Sequence, residues 1–504
     1  MLLPLVFFAG IGSMATEICA SRLLAPFYGS STVVWANIIG LILAALSLGY
    51  WLGGRLADAH PSSRLLGYLV LAAAALIAAV PFVARPFLDV SIGGIESLSA
   101  GAVVGSFLAA LLLFAPPVIL LGMVTPFAIR LATTDVDAAG VTAGRIFALS
   151  TAGSILGTFI PALLTIPLIG TQRTLLGAAT IVALAAATLL RRRWLLAALA
   201  LALLLALPPG LVKPGLGVIY ERESRYQFIE VVQQGSGASV VRYLYLNEGY
   251  AVHSVWRPDA VFTGGEWDMF LTLPPLLGRP AGSALMLGNA GGTTARAFGV
   301  LYPQVAFDGV ELDPQVTATA RRFFGLNDNP RLTVYTADAR PFLQATNKRY
   351  DLIMVDAYRQ PYVPFYLATR EFFALCRRHL TPGGVVALNV SRVPGDNRLV
   401  DGIAGTLAGE FPQVLVWPAL RFNELVIGLT TATPLQRLRR RLGAAPPLVR
   451  PLTRLLAAQM QPRRPSADPW TDDRAPVEWI TDAMIVDYAA RGRQIPEHSL
   501  PTAP

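Results

Sequence analysis

The sequence predicts a multi-pass α-helical membrane domain, followed by a small β region and an α/β domain of alternating strands and helices. Three observations carry that expectation. Hydrophobic residues make up 54% of the 504-residue chain, too many for an ordinary water-soluble protein, and the length suffices for two or three domains. Charge is uneven: up to Gly210 there are ten Arg, no Lys and six acids, so 16 of the 73 charged residues occupy that stretch. From about Tyr220 the pattern turns to short alternating strands and then to strand-helix repeats. The expected domains are 1–210 (membrane), 218–262 (small β region) and 263–504 (α/β). The Pro- and Gly-rich LPPGLVKPGLG, Leu207 to Gly217, ends the last apolar run.

Apolar runs of the about 20 residues that cross a bilayer stand near 1–21, 33–54, 65–84, 101–128, 143–169, 173–190 and 194–209. A stretch near 86–100 allows an eighth span. The first run lacks a basic n-region and more runs follow it, so it reads as a membrane helix. Gly49 with Gly53, and Gly153 with Gly157, are small residues four apart, a spacing that lets helix backbones approach. Glu17 is an intramembrane carboxylate, functional or paired with Arg22. The net charge of +9 brings no basic-aromatic interleaving with it, so nucleic acid is not expected as a partner. Cys19 and Cys376 have no metal-ligand spacing, and neither a disulfide nor a metal site is expected.

In the second half, SALMLGNAGGTTARAF is a buried strand that turns through Gly288, Asn289, Gly291 and Gly292 into a helix. Glycines at such a turn let backbone N–H groups approach a ligand at the helix N-terminus. VAFDGVELDP ends its strand in Glu311, 19 residues after Gly292, near the spacing at which an acid meets ribose hydroxyls. RLTVYTADARPFL delivers Asp338, and YDLIMVDAY delivers Asp356. One glycine turn and three acids at strand ends form a crevice of the kind that binds nucleosides.

LGNAGG, VELD, TADARPFL and YDLIMVDAY, in this order, resemble the spermidine synthase family of S-adenosylmethionine-type Rossmann folds. RYQFIEV and LYLNEGYAVHS resemble that family's β-stranded N-terminal region. RLLAPFYGSSTVVW, GYWLGGRLAD and TDDRAPVEW resemble its multi-pass, membrane-bound branch. The resemblance implies that Gln227 contacts the amino-acid end of a sulfonium donor and that Glu311 binds ribose. It implies further that Asp338 with Ala339 holds the adenine amino group, that Gly288, Asn289 and Gly291 line the donor site, and that Asp356 is the catalytic acid. The donor implied is S-adenosylmethionine or its decarboxylated form, as substrate, and the acceptor is putrescine or another polyamine.

The chain departs from the family pattern at three points. The second acid of the family's Asp-Ser-Ser-Asp-Pro loop is Arg359, which repels a dication or, alternatively, grips a carboxylate through its planar fork. The Tyr-His-Glu segment becomes Trp267, Asp268 and Met269, and a glutamine of the family becomes His253, a candidate proton shuttle. Tyr358 and Tyr362 flank the reaction loop and offer rings to a cationic sulfur or amine. Asp472 and Asp473 either reach the site or cap a helix. Two chemistries therefore stay open, aminopropyl transfer to an amine and lactone-forming attack by the donor's own carboxylate; both release methylthioadenosine. A methyltransferase, or a transporter or sensor with a binding domain, is the alternative. Membrane lipid is an expected partner, and a homo-oligomer is left open.

The arginine pairs Arg55/Arg64 and Arg130/Arg145 and the run Arg191 to Arg193 fall in alternate loops, which with seven spans puts the soluble half outside. The donor is cytosolic, and on that ground the expectation is an inner-membrane protein with a cytoplasmic catalytic domain.

Overall fold

The computed structural model describes residues 1–28, 32–93, 98–135, 137–207, 215–247, 251–358 and 362–491. It divides into two compact units: Met1–Pro214 with Glu221–Phe228, and Gly215–Tyr220 with Ile229–Pro504.

The first unit is helical. Its elements are α1 (Leu2–Tyr28), α2 (Thr32–Ala59), α3 (Ser63–Gly93), α4 (Leu98–Ala109), α5 (Ala115–Gly122), α6 (Val124–Ala132), α7 (Ala139–Ile160), α8 (Ile166–Ala187) and α9 (Leu195–Leu204). Among the described residues five helical stretches are long and apolar enough to cross a membrane: Leu2–Tyr28, Val34–Ala59, Ser63–Ala84, Val104–Ala132 and Ala139–Ala187. These stretches carry six of the seven expected runs. The 49-residue stretch Ala139–Ala187 holds two of the expected runs, parted at Gly170, whose φ of 84° no helix contains. In the described part of the run at 194–209, α9 takes ten residues, roughly 15 Å of helix against the ~30 Å hydrocarbon core. Near 86–100, α3 simply continues to Gly93, and residues 94–97 lie outside the described residues.

Both glycine pairs do what their spacing predicts. A Cβ on Gly153 or Gly157 would strike the carbonyls of Phe7 and Ile11 on α1, and one on Gly49 would strike that of Ile119 on α5. A Cβ on Gly53 would stand 2.7 Å from the Met123 carbonyl oxygen. Backbone therefore packs on backbone at these crossings. Large apolar side chains face outward along the helices, including Leu43, Trp51, Phe147, Phe159 and Leu163, each more than half exposed. An apolar belt of this extent suits hydrocarbon and not water. Within the same unit, the left-handed turn at Gly170 presents Thr171, whose N–H and Oγ1 donate to the Glu223 carboxylate at 2.6 and 2.7 Å. Arg22, weighed above as the partner of Glu17, donates to the Arg225 carbonyl.

Two sheets follow along the chain. Strands β1 (Val218–Glu223), β2 (Phe228–Gln234), β3 (Val241–Leu246) and β4 (Val252–Trp256) form the small one in that order, with β2, β3 and β4 antiparallel. The large sheet belongs to an alternating series: β5 (Ser283–Leu287), α10 (Thr293–Leu301), β6 (Ala306–Glu311), α11 (Pro314–Phe323), β7 (Leu332–Thr336), α12 (Ala339–Ala345) and β8 (Tyr350–Val355). It continues with α13 (Arg370–Arg378), β9 (Leu380–Ser391), α14 (Arg398–Glu410), β10 (Gln413–Trp417) and β11 (Asn423–Leu429). Helices α15 (Leu435–Gly443) and α16 (Arg450–Gln459), strand β12 (Gln461–Arg463) and helix α17 (Val477–Ala490) complete it. The strand order is β12-β10-β11-β9-β8-β5-β6-β7; β9, β8, β5, β6 and β7 are parallel, and β11, β10 and β12 antiparallel.

Every residue of β8 is buried, as a central parallel strand covered on both faces must be. Alternate side chains serve different cores: Leu285, Ile353 and Val386 pack on one face, and Met286, Leu352 and Met354 on the other. The period of two along each strand thus builds two hydrophobic layers from one sheet.

Candidate active site

The four expected strand ends meet at one edge. Gly288 follows β5, Glu311 ends β6, Asp338 lies just beyond β7 and Asp356 follows β8. From β5 the chain builds outward through β6 and β7 on one side, then returns to lay β8 and β9 on the other. The crevice at such a reversal, above the carboxyl ends of β5 and β8, is where open α/β sheets bind ligands.

Backbone chemistry shapes the floor. Gly288 has φ 88°, and a Cβ there would press on the Asp356 carbonyl. The N–H groups of Gly288 and Asn289 both donate to Val310 O at 3.0 Å, which ties the turn to β6. Gly291 sits against β4: its N–H donates to Ser254 Oγ at 2.8 Å, and a Cβ on it would stand 2.6 Å from Ser254 Cβ.

A cavity at this point is lined by His253, Glu266, Trp267, Asn289, Asp356 and Tyr358, with Gly288 and Ala290 among the turn residues beneath. Asn389 Nδ2 donates to Asp356 Oδ1 at 2.9 Å, and Asn423 Nδ2 orients Asn389 through its Oδ1 at 3.0 Å. Burial pushes the Asp356 carboxyl up to about 6 against the pull of Asn389. Burial also pushes Glu266 up to about 8, and the negative field of Asp356 adds to it. His253 is pushed by burial down to about 4, so its ring is neutral at pH 7. Its Nε2 is buried with no partner, and Asn289, 5% exposed, has both amide atoms unpaired among the described residues. Buried polar atoms left unmet on the wall of a cavity mark a place where a ligand supplies the missing partners.

Of the expected site residues, the structure brings Asp356, Tyr358, His253, Gly288 and Asn289 to this cavity. The Tyr358 hydroxyl donates to Asn389 O at 2.7 Å and accepts from Ser391 N–H at 2.8 Å. What Tyr358 offers a ligand is therefore its ring. Glu311 borders the glycine turn: Oε2 accepts from Ala290 N–H at 2.9 Å and Oε1 from Asp313 N–H at 3.0 Å. Burial outweighs these bonds and lifts its carboxyl to about 7. Asp338 opens α12, accepting from Arg340 N–H at 3.2 Å and from the Tyr366 hydroxyl at 3.2 Å, with Ala339 buried beside it.

Other expectations are met differently. Gln227 lies in the segment Glu221–Phe228, which belongs to the first unit, where its carbonyl accepts from Ser224 N–H at 2.9 Å. Arg359 falls outside the described residues. Asp472 accepts from Arg340 at 2.7 and 2.6 Å and from Thr369 at 2.7 Å, so it braces α12 and the start of α13. Tyr362 donates to Asp482 on α17. Asp268 accepts from the N–H groups of Thr263 and Gly264 at 2.9 and 2.7 Å, and Met269 is buried in the core. Glu266 and Asn389 were not anticipated. Glu266 stands one residue before the altered trio, and Asn389 lies within an apolar strand where an amide needs a reason to be buried.

Among the described residues no three His, Cys, Asp or Glu side chains converge as metal ligands. Residues 283–416 match the family described as "Spermine/spermidine synthase domain". A protein of Bifidobacterium longum described as a probable polyamine aminopropyl transferase is 37% identical over 194 residues, which are 38% of this chain and 42% of that one. A polyamine aminopropyltransferase of Vibrio vulnificus is 31% identical over 174 residues, 33% of this chain and 57% of that one. The chain thus spans about half the length of these curated relatives. The crystal structure of a probable spermidine synthase from Corynebacterium glutamicum aligns with a TM-score of 0.40 at 19% identity, covering 58% of this chain and all of that one.

Proposed function

We propose that the protein is a membrane-anchored aminopropyl transferase, in which the second unit moves the aminopropyl group of decarboxylated S-adenosylmethionine to a polyamine such as putrescine. One observation supports this above the others: Asp356, Glu266, neutral His253 and the unpaired Asn289 line one cavity at the switch point of the sheet. Ribose falls to Glu311 and adenine to Asp338 and Ala339, which sets the sulfonium toward Asp356.

The chemistry asks little of the protein beyond position and a proton acceptor. The amine nitrogen forms a bond to the carbon next to sulfur as the carbon–sulfur bond breaks. The electron pair stays on sulfur, giving neutral methylthioadenosine, and the proton lost by nitrogen passes to Asp356. A carboxyl near 6 is mostly ionised at neutral pH and still basic enough to take that proton. Attack by the donor's own carboxylate needs a cation at this point, and the acids around the cavity disfavour it. The apolar belt of the first unit supports membrane anchoring, and we place the protein in the inner membrane.

The test is product analysis by mass. Full-length protein in detergent is given intact or decarboxylated donor, with and without putrescine. Methylthioadenosine with spermidine is expected only from the decarboxylated donor plus amine. S-adenosylhomocysteine, a lactone, or no product from any mixture sinks the proposal. Asp356→Asn should keep donor binding and lose turnover.

A further inference from the structure

Resting on that reading of the site, we propose that Glu266 is the second acid of the acceptor subsite, holding the attacking amine together with Asp356. In the family pattern two acids of the loop after β8 grip the diamine; here the second of them is Arg359. The cavity nevertheless has two carboxylates, because Glu266 enters it from a separate element, the helical turn Glu266–Thr272 that follows the small sheet.

The neighbouring acid cannot serve. Asp268 is committed to the N–H groups of Thr263 and Gly264 and to the Thr263 hydroxyl. Glu266, in contrast, lines the cavity and lies close enough to Asp356 to feel its charge. Burial and the charge of Asp356 keep Glu266 mostly protonated in the empty cavity, and a bound cation favours the ionised form of both carboxyls. An ammonium group between them satisfies both. Trp267 and Tyr358 add aromatic faces along the same wall, where a cation gains further attraction. Asn289 and His253 Nε2 supply the buried unpaired polar atoms that a bare acid pair would lack. The subsite selects for an amine that arrives as an ammonium ion and against an anionic nucleophile; the ammonium gives one proton to Asp356, and the neutral nitrogen then attacks.

Equilibrium binding of radiolabelled putrescine to the full-length protein in detergent, with donor binding and turnover measured separately, tests this. Glu266→Gln should weaken putrescine binding about ten- to hundredfold, the range for loss of a charge-assisted hydrogen bond in a desolvated site. It should raise the KM for the amine more than it lowers kcat, and leave donor affinity within about twofold. Glu266→Asp should recover part of the amine affinity, and unchanged donor binding shows that both variants are folded. Parent-like putrescine binding by Glu266→Gln overturns the assignment, as does a parent protein that binds no amine. A parent that binds putrescine through Glu266 yet forms no methylthioadenosine refutes the transferase reading and leaves the subsite standing.

Discussion

Removing the Asn389 amide is the sharpest probe of the base. Asn389→Ala deletes the one side-chain hydrogen bond that lowers the Asp356 carboxyl, donated by Nδ2 to Oδ1 at 2.9 Å. A hydrogen bond to a charged group contributes about 1.5–3 kcal/mol. At about 1.4 kcal/mol per pKa unit, the carboxyl should rise by roughly one to two units, from about 6 toward 7 or 8. The ionised fraction at pH 7 then falls from about nine-tenths to between about a half and a tenth. Burial sets the Asp356 carboxyl near 6, so the acidic limb of the profile lies there, and its direction of movement is diagnostic. The assay is kcat/KM for methylthioadenosine formation from pH 5 to 9. The limb should move to higher pH, with activity recovering as pH rises, and Asn423→Ala should give a smaller shift in the same direction. A limb that stays where it was, or a loss of rate equal at every pH, refutes the role given to Asn389 and to Asp356 as the base.

Gly288→Ala forces a residue with a Cβ to φ 88° and against the Asp356 carbonyl. The left-handed backbone alone costs about 1–2 kcal/mol, so a lower unfolding midpoint and weaker donor binding are expected in thermal and equilibrium assays. Asp351 accepts from Arg279, Thr381 and the Gly282 and Ser283 N–H groups. Its burial is outweighed by these bonds, which hold its carboxyl down to about 2. Because the folded value lies below the ordinary one, this stabilisation, about 2 kcal/mol, is complete above pH 4 and lost as pH falls toward 2. Asp351→Asn should flatten acid denaturation of the second unit in that window. In the first unit, Met1, Ser63, Thr142, Arg145 and Thr188 share one cavity, so the arginine-bearing loops gather at one end of the bundle. The segment Glu221–Phe228 meets Thr171 and Arg22 at helix ends reached by crossing the bundle. The charge rule puts that segment away from the cytoplasm, against the expectation drawn from the donor. Single cysteines at Tyr226 and Val141, both exposed, should react with an impermeant reagent on opposite sides; the cytosolic donor requires Tyr226 to label from the cytoplasm, and labelling only from outside overturns the proposed use of that donor.

The sequence by itself determined the apolar helices, the glycine turn and the acids at strand ends. Each depends on neighbours along the chain: hydrophobic period, backbone freedom at Gly288, and a carboxylate placed where a strand stops. Gly153 and Gly157 could be read as a close crossing for the same local reason, a missing Cβ on one helix face. The tertiary structure alone decided which loops share the cavity. Glu266 enters it while Asp268, two residues on, turns to Thr263 and Gly264. Asn389 is remote in sequence and meets Asp356 because β9 pairs with β8. The run at 194–209 has span-like composition but folds as ten helical residues, and Gln227 joins the first unit. Such outcomes rest on sheet order and packing between distant segments, which no local pattern of residue types records.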